Sequence, residues 1–140
     1  MREVLTAATA VARGVPGIVT AYDGMPDAAP GADRLIAAVV RPDPEGGTVR
    51  LDTSLKTWVY PFWVDILTAR GGEARLAERE VQPLMDAMLD AFMASNLAGA
   101  VLTGEVRWVI SPIAYYGTTY IGASLRLVAE RMTEATYWPE

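Results

Sequence analysis

From Thr57 to Ala69 the chain alternates without interruption, and both of the sets it alternates between are largely apolar. Trp58, Tyr60, Phe62, Val64 and Ile66 fall on one side, and Val59, Pro61, Trp63, Asp65 and Leu67 on the other. Successive side chains of a strand point to opposite faces, so the segment specifies a strand in a sheet that carries apolar residues on both faces. Pro61 has no N–H for a ladder and therefore belongs at a strand edge, a bulge or a strand start. Asp65 stands among apolar neighbours, either as the buried partner of an arginine or as an edge-strand guard against unwanted pairing.

Other segments supply the rest of the sheet and two helices. Val4, Leu5, Ala8, Val11 and Ala12 recur at spacings of three and four, which predicts a short helix over 2–13, stopped by Gly14 and followed by a turn at Pro16-Gly17. Ile18 to Tyr22 is a short extended segment, and Asp23 to Arg34, rich in Gly, Pro, Ala and Asp, is a surface loop. Leu35 to Arg41 is an apolar run of strand length, stopped at Pro42. Thr48 to Leu55 alternates and pairs with it as a hairpin. After Gly71-Gly72 the period changes: Ala77, Val81, Leu84, Met85, Met88 and Phe92 predict a helix over 73–95, with Pro83 kinking it or marking an early turn.

Glu105 to Ala114 and Thr119 to Arg131 then form a hairpin around Tyr116-Gly117-Thr118, and the tail from Met132 to Glu140 has no element of its own. The predicted architecture is a single α+β domain over 1–140: an antiparallel sheet of about five strands with two helices packed on one face. The other face would then expose Trp63, Leu67, Val109 and Val128 to water in a monomer, which favours oligomerisation.

Composition excludes several chemistries. The chain has no histidine and no cysteine, so catalytic triads, thiol redox chemistry and conventional zinc sites are closed to it. No phosphate-cradling glycine motif is present, and none of Ser54, Ser95, Ser111 and Ser124 stands in a nucleophile elbow. Carboxylates remain. Asp86 and Asp90 lie one helical turn apart, about 140° and 180° from Val81 on the helical wheel, which reads as a solvated face. Asp23 and Asp27 are explained by turn chemistry. No catalytic, cofactor or metal site is therefore expected.

The net charge of −5 argues against a sequence reader of nucleic acid, although an acidic protein suits a conduit that lets DNA pass without sticking. The opening Met1-Arg2-Glu3-Val4-Leu5-Thr6 does not read as a signal peptide, and the apolar runs fall short of the roughly 20 residues of a membrane span, so a soluble protein is expected.

The order of punctuation along nearly the whole chain resembles the tail terminator (tail completion) proteins of long-tailed phages and phage-like particles. The resemblance is carried by Arg13-Gly14-Val15-Pro16-Gly17-Ile18, Thr20-Ala21-Tyr22-Asp23 and Leu35-Ile36-Ala37-Ala38-Val39-Val40. It continues through Val64-Asp65-Ile66-Leu67, Gln82-Pro83-Leu84-Met85-Asp86-Ala87-Met88 and Tyr116-Gly117-Thr118-Thr119-Tyr120 leading into Gly122. It implies a non-enzymatic virion protein, assembled in the host cytoplasm into a homohexameric ring at the head-proximal end of the tail. Such a ring caps the tube formed by the major tail protein, meets a head-tail connector or neck protein, and passes DNA through its lumen. Acidic loop side chains are expected to line that lumen. Candidate subunit contacts are Trp63, Tyr115, Tyr116, Tyr120, Arg126 and Trp138. A head-closure or neck connector, and a small-molecule-binding or carboxylate-dependent α+β enzyme domain, are the alternatives.

Overall fold

The computed structural model of the chain describes residues 1–70 and 74–134. Gly71-Gly72, the expected helix start at Glu73, and Tyr137-Trp138 lie outside the described residues. The elements run α1 (Arg2–Arg13), β1 (Thr20–Asp23), a 3-10 turn (Ala32–Arg34), β2 (Ala37–Pro42), β3 (Thr48–Leu51), β4 (Leu55–Arg70), α2 (Ala74–Met93), β5 (Val101–Leu102), β6 (Arg107–Tyr115) and β7 (Thr118–Glu134). The class is α+β, with seven strands in one mixed sheet.

Two long antiparallel strands are the spine. β4 and β7 pair from Leu55 opposite Glu134 to Arg70 opposite Tyr120. On the far side of β4, β3 pairs with its beginning (Thr48 opposite Val59) and β2 with its later part (Pro42 opposite Phe62). Residues 37–51 therefore form one strand broken at 43–47, beside Tyr60 and Pro61. The sequence explains the break. The Pro61 carbonyl accepts the Asp43 N–H at 3.2 Å, and since the N and C=O of a strand residue face the same neighbour, the missing donor of Pro61 falls where the ladder is interrupted. β5 and β6 repeat the arrangement on β7: Leu102 pairs with Ala129 and Arg107 with Arg126. Residues 103–106 step out between them, and the Thr103 N–H reaches the Val128 carbonyl at 2.9 Å. The sheet is thus five columns wide, although seven strands compose it.

Two expectations are corrected. The sheet is not purely antiparallel, because β1 and β2 run parallel, Thr20 opposite Ala37 and Asp23 opposite Val40. The loop between them carries the chain back across the sheet, as a parallel connection must. Nor does Leu35 to Arg41 form a hairpin with Thr48 to Leu55. β2 pairs with β4, and the hairpin joins β3 to β4 through a turn in which the Asp52 N–H reaches the Leu55 carbonyl at 2.9 Å and Asp52 Oδ1 accepts the Thr53 N–H at 2.7 Å.

Both helices lie on one face. Val4, Leu5, Ala8 and Ala12 of α1 and Val81, Leu84, Met85, Met88 and Phe92 of α2 enclose Val40, Tyr60, Phe62, Val64, Ile66, Ala123, Leu125 and Leu127. The rings of Phe62 and Phe92 meet at 5.8 Å between centroids, within the range of favourable aromatic pairs. Pro83 lies inside α2 rather than in its first turn. It is exposed, so the one backbone hydrogen bond it removes is on the water side.

The second face is partly roofed. The loop after β1 lays Ala29 and Leu35 over a small cluster of Ala37, Val39, Leu67, Tyr115 and Tyr120. Leu67, expected to meet water in a monomer, is buried there. The hairpin between β6 and β7 turns at Tyr116 (φ 49°) and Gly117 (φ 79°), the pair of positive φ angles that a two-residue type I′ turn requires.

Candidate functional site

The face opposite the helices carries a polar network built by strand register. Arg41 of β2, Trp63 of β4, Arg126 of β7 and Arg107 of β6 stand in one row across the sheet. The next row on the same face holds Val39, Asp65, Ser124 and Val109. Asp65 is buried and fully committed. Arg41 donates to it through Nε at 2.9 Å and Nη2 at 3.3 Å, Ser124 Oγ donates at 2.7 Å, and the Tyr115 hydroxyl donates to its Oδ2. Of the two sequence readings of Asp65, the buried partner of an arginine is what the structure contains, on an inner strand rather than an edge.

The electrostatics follow from these contacts. Burial opposes the charge on the Arg41 guanidinium, but the hydrogen bond to Asp65 and its negative charge outweigh it and raise the Arg41 pKa. Burial, and then the hydrogen bond and charge of Asp65, push the Tyr115 phenol well above its ordinary value. The Arg41 guanidinium also lies 5.1 Å from the centre of the Trp63 ring, in cation–π range. A second pair sits alongside: Arg126 Nε donates to Asp43 Oδ2 at 2.7 Å, and the Glu45 N–H to Asp43 Oδ1 at 2.9 Å. The Glu45 amide first, and the Arg126 guanidinium after it, hold the Asp43 carboxyl below the usual range.

Between these pairs lies a cleft of about 480 Å³ bordered by Arg41, Asp43, Pro44, Glu45, Trp63, Arg107 and Arg126. A smaller recess of about 190 Å³ continues past Trp63 and Arg107 to Trp108 and Val109. Three guanidiniums around an indole can take an anion against an aromatic floor, a combination common at the centres of protein interfaces. Among the described residues there is no group of three acidic side chains placed to hold a metal ion.

The expected contact residues divide. Trp63 and Arg126 are half-buried in the row, and Tyr116 is exposed, its hydroxyl donating to the Pro26 carbonyl at 2.6 Å. Tyr115 and Tyr120 are 4% and 0% exposed. They are corrected from surface to interior, since the Tyr120 hydroxyl is taken up by the Pro30 carbonyl at 2.6 Å and that of Tyr115 by Asp65. Trp138 lies outside the described residues. Asp86 and Asp90 are exposed on α2, and Asp23 accepts the Thr6 hydroxyl at 3.1 Å.

Sequence reasoning missed Arg41, Asp43 and Arg107 as parts of the site. It also missed exposed apolar side chains at the end of the sheet formed by β3, the start of β4 and the end of β7: Val49, Leu51 and Trp58 on the helix-bearing face, with Leu51 77% exposed, and Leu55 and Met132 on the other, with Met132 68% exposed. The alternation of Val49 and Leu51 held a signal for the first set, whereas Leu55, expected on their face, lies on the other, because the tight turn pairs Leu51 with Lys56. Beside the first set a cavity of about 480 Å³ lies between Val49, Trp58, Tyr60 and Arg131. No described helix is long and apolar enough to cross a membrane. Compared with known proteins, the chain matches no family model and no curated protein.

Proposed function

We propose that the protein is a structural subunit of a phage or phage-like particle: a tail terminator that forms a hexameric ring, caps the tail tube and joins it to the head or neck. The observation that carries this reading is the pair of unroofed surfaces at separate places on one small domain. One is the apolar end of the helix-bearing face with Val49, Leu51 and Trp58, and the other, on the opposite face, is the arginine and tryptophan cleft with Val109 beside it. Exposed apolar area of this kind marks contact sites, and two different patches on one subunit are what a heterologous, closing assembly uses. The order of elements along the chain supports the same reading, and the net charge of −5 suits a lumen that repels passing DNA. In this role the protein does no chemistry. It fits neighbours: copies of itself, the tube protein and the connector.

Electron microscopy of the purified protein across concentration and salt, together with imaging of particles labelled on this chain, tests the proposal. Closed rings with a central channel, and label at the head-proximal end of the tail, are expected. A strict monomer under all conditions together with label elsewhere on the particle would overturn it.

A further inference from the structure

We propose that the row of Arg41, Trp63, Arg126 and Arg107 is a carboxylate-binding cleft, and that its occupant is the outer face of α2, Asp86 and Asp90, of a second copy of this chain. The inference deepens the ring reading and rests on it for closure of the assembly.

The starting observation is a juxtaposition that the fold alone does not favour. Arg107 and Arg126 stand directly opposite one another on β6 and β7, on one face of the sheet, and like charges so placed repel. Arg126 is compensated by Asp43 through its Nε, which leaves the outer nitrogens of its fork for another acceptor. Arg107 is exposed and makes no ion pair among the described residues, not even with Glu45, which lines the same cleft. An anion lodged between the two guanidiniums converts the repulsion into two charge-assisted contacts. Trp63 forms the floor between Arg41 and Arg126, and Val109, on the same face of β6 as Arg107, extends it with apolar surface. That setting suits carboxylates presented by a protein surface more than a lone ion.

The chain itself carries the matching element. Asp86 and Asp90 are exposed on α2 and make no ion pair among the described residues. One helical turn sets their Cβ atoms about 5–6 Å apart, while directly opposed strand residues such as Arg107 and Arg126 are about 4.5–5.5 Å apart. The two pairs are opposite in charge and alike in spacing. The net charge of −5 disfavours a polyanion such as DNA as the occupant. Because α2 covers one face of the sheet and the cleft opens on the other, each contact joins the front of one subunit to the back of the next. That is the heterologous geometry that closes into a ring when the rotation between subunits permits.

Sedimentation velocity over a range of concentration and salt decides the matter, with Arg107→Glu and the double variant Asp86→Arg/Asp90→Arg made on exposed positions and their folding checked by thermal melts. The wild type is expected to associate more strongly at low salt. Each reversal should weaken association by about ten-fold or more, and mixing or combining the two should restore most of it. Reversals without effect, or a combination that fails to restore, would sink the proposal, as would a wild-type protein that stays monomeric. A short labelled duplex DNA, bound by the wild type and lost with Arg107→Glu while association is unchanged, would also overturn it. Microscopy of the same samples separates this contact from the ring reading. Closed rings that survive both reversals leave the ring standing and remove the contact, whereas open front-to-back chains that dissolve on reversal keep the contact and remove the ring.

Discussion

Arg41 reaches Asp65 diagonally across the pairing of β2 and β4: its direct partner in the ladder is Trp63, yet two of its nitrogens bond to the carboxylate two residues further along. The guanidinium thereby grips a buried charge and lies over an indole at once. Removing the carboxylate leaves Arg41 without its partner and strips an acceptor from Ser124 and Tyr115. Asp65→Ala is expected to lower stability by about 3–5 kcal/mol, the usual cost of breaking a buried pair from one side. Urea unfolding would show it as a lower midpoint with an unchanged slope. Combined with Arg41→Ala, the loss should fall well short of the sum of the two single losses.

Tyr115 ties the same carboxylate to alkaline behaviour. Its folded pKa is raised, so it contributes stability that is fully present below the unfolded value of about 10 and is lost as pH rises from there toward the folded value. The urea midpoint of the wild type should therefore decline above about pH 10. Tyr115→Phe, less stable at neutral pH, should show a smaller decline over that interval.

Asp43 acts at the other end of the scale. Its folded pKa is lowered, by the Glu45 amide and then by Arg126, so its contribution is present above the unfolded value of about 3.9 and disappears as pH falls through the folded one. Asp43→Asn keeps an oxygen for the Glu45 amide but loses the charge facing Arg126. Its midpoint is expected to lie below wild type at neutral pH, and the two should converge as the solution is acidified below about pH 4.

Gly122 of β7 lies against the backbone of β4. A Cβ at that position would stand 1.8 Å from the Ile66 carbonyl oxygen, next to the slip in register between Leu67 and Ala69 that the Thr68 hydroxyl bridges to the Ile121 carbonyl at 2.7 Å. Backbone cannot yield as a side chain does, so Gly122→Ala should cost about 3 kcal/mol. Gly14 makes the contrast. It has φ −78°, and a methyl group there would meet only ordinary contacts, the nearest at 3.5 Å. Gly14→Ala should therefore be neutral or stabilise by up to about 1 kcal/mol. Thermal melts of the two variants side by side check both values.

The faces of β4 and β7 were legible because burial on both sides of a long strand leaves an unbroken alternation: Tyr60, Phe62, Val64 and Ile66 do lie under the helices and Trp63 and Asp65 opposite them. What the pattern lacks is the identity of a strand's neighbour. Leu35 to Arg41 looks the same whether it pairs with β3 or β4. The difference decides that Arg41 meets Asp65 and that Arg107 faces Arg126 through β7. The buried tyrosines escaped for a related reason. An aromatic beside a turn reads as surface until a distant acceptor is known, and the acceptors here are Asp65, 50 residues from Tyr115, and the Pro30 carbonyl, 90 residues from Tyr120. The Pro and Gly loop hides its role most completely, since it covers the sheet with two apolar side chains and two carbonyls and shows no periodicity.

That loop is held by the hairpin turn. The Tyr116 hydroxyl bonds to the Pro26 carbonyl and the Tyr120 hydroxyl to the Pro30 carbonyl, each at 2.6 Å, so one β6–β7 end clamps two points of the roof over Leu67 and Val39. Tyr120 is fully buried, and Tyr120→Phe leaves the Pro30 carbonyl without that donor at a cost of about 1–3 kcal/mol. Tyr116 is largely exposed, water can replace its hydroxyl, and Tyr116→Phe should cost about 0.5–1 kcal/mol. The local consequence distinguishes a clamp from general destabilisation. Amide hydrogens of residues 24–36 should exchange faster in both variants, while those of Val64, Ile66 and Leu125 in the sheet interior change only by the global amount. Equal acceleration across the sheet and the loop would mean that the roof is held by its apolar contacts and not by the two hydroxyls.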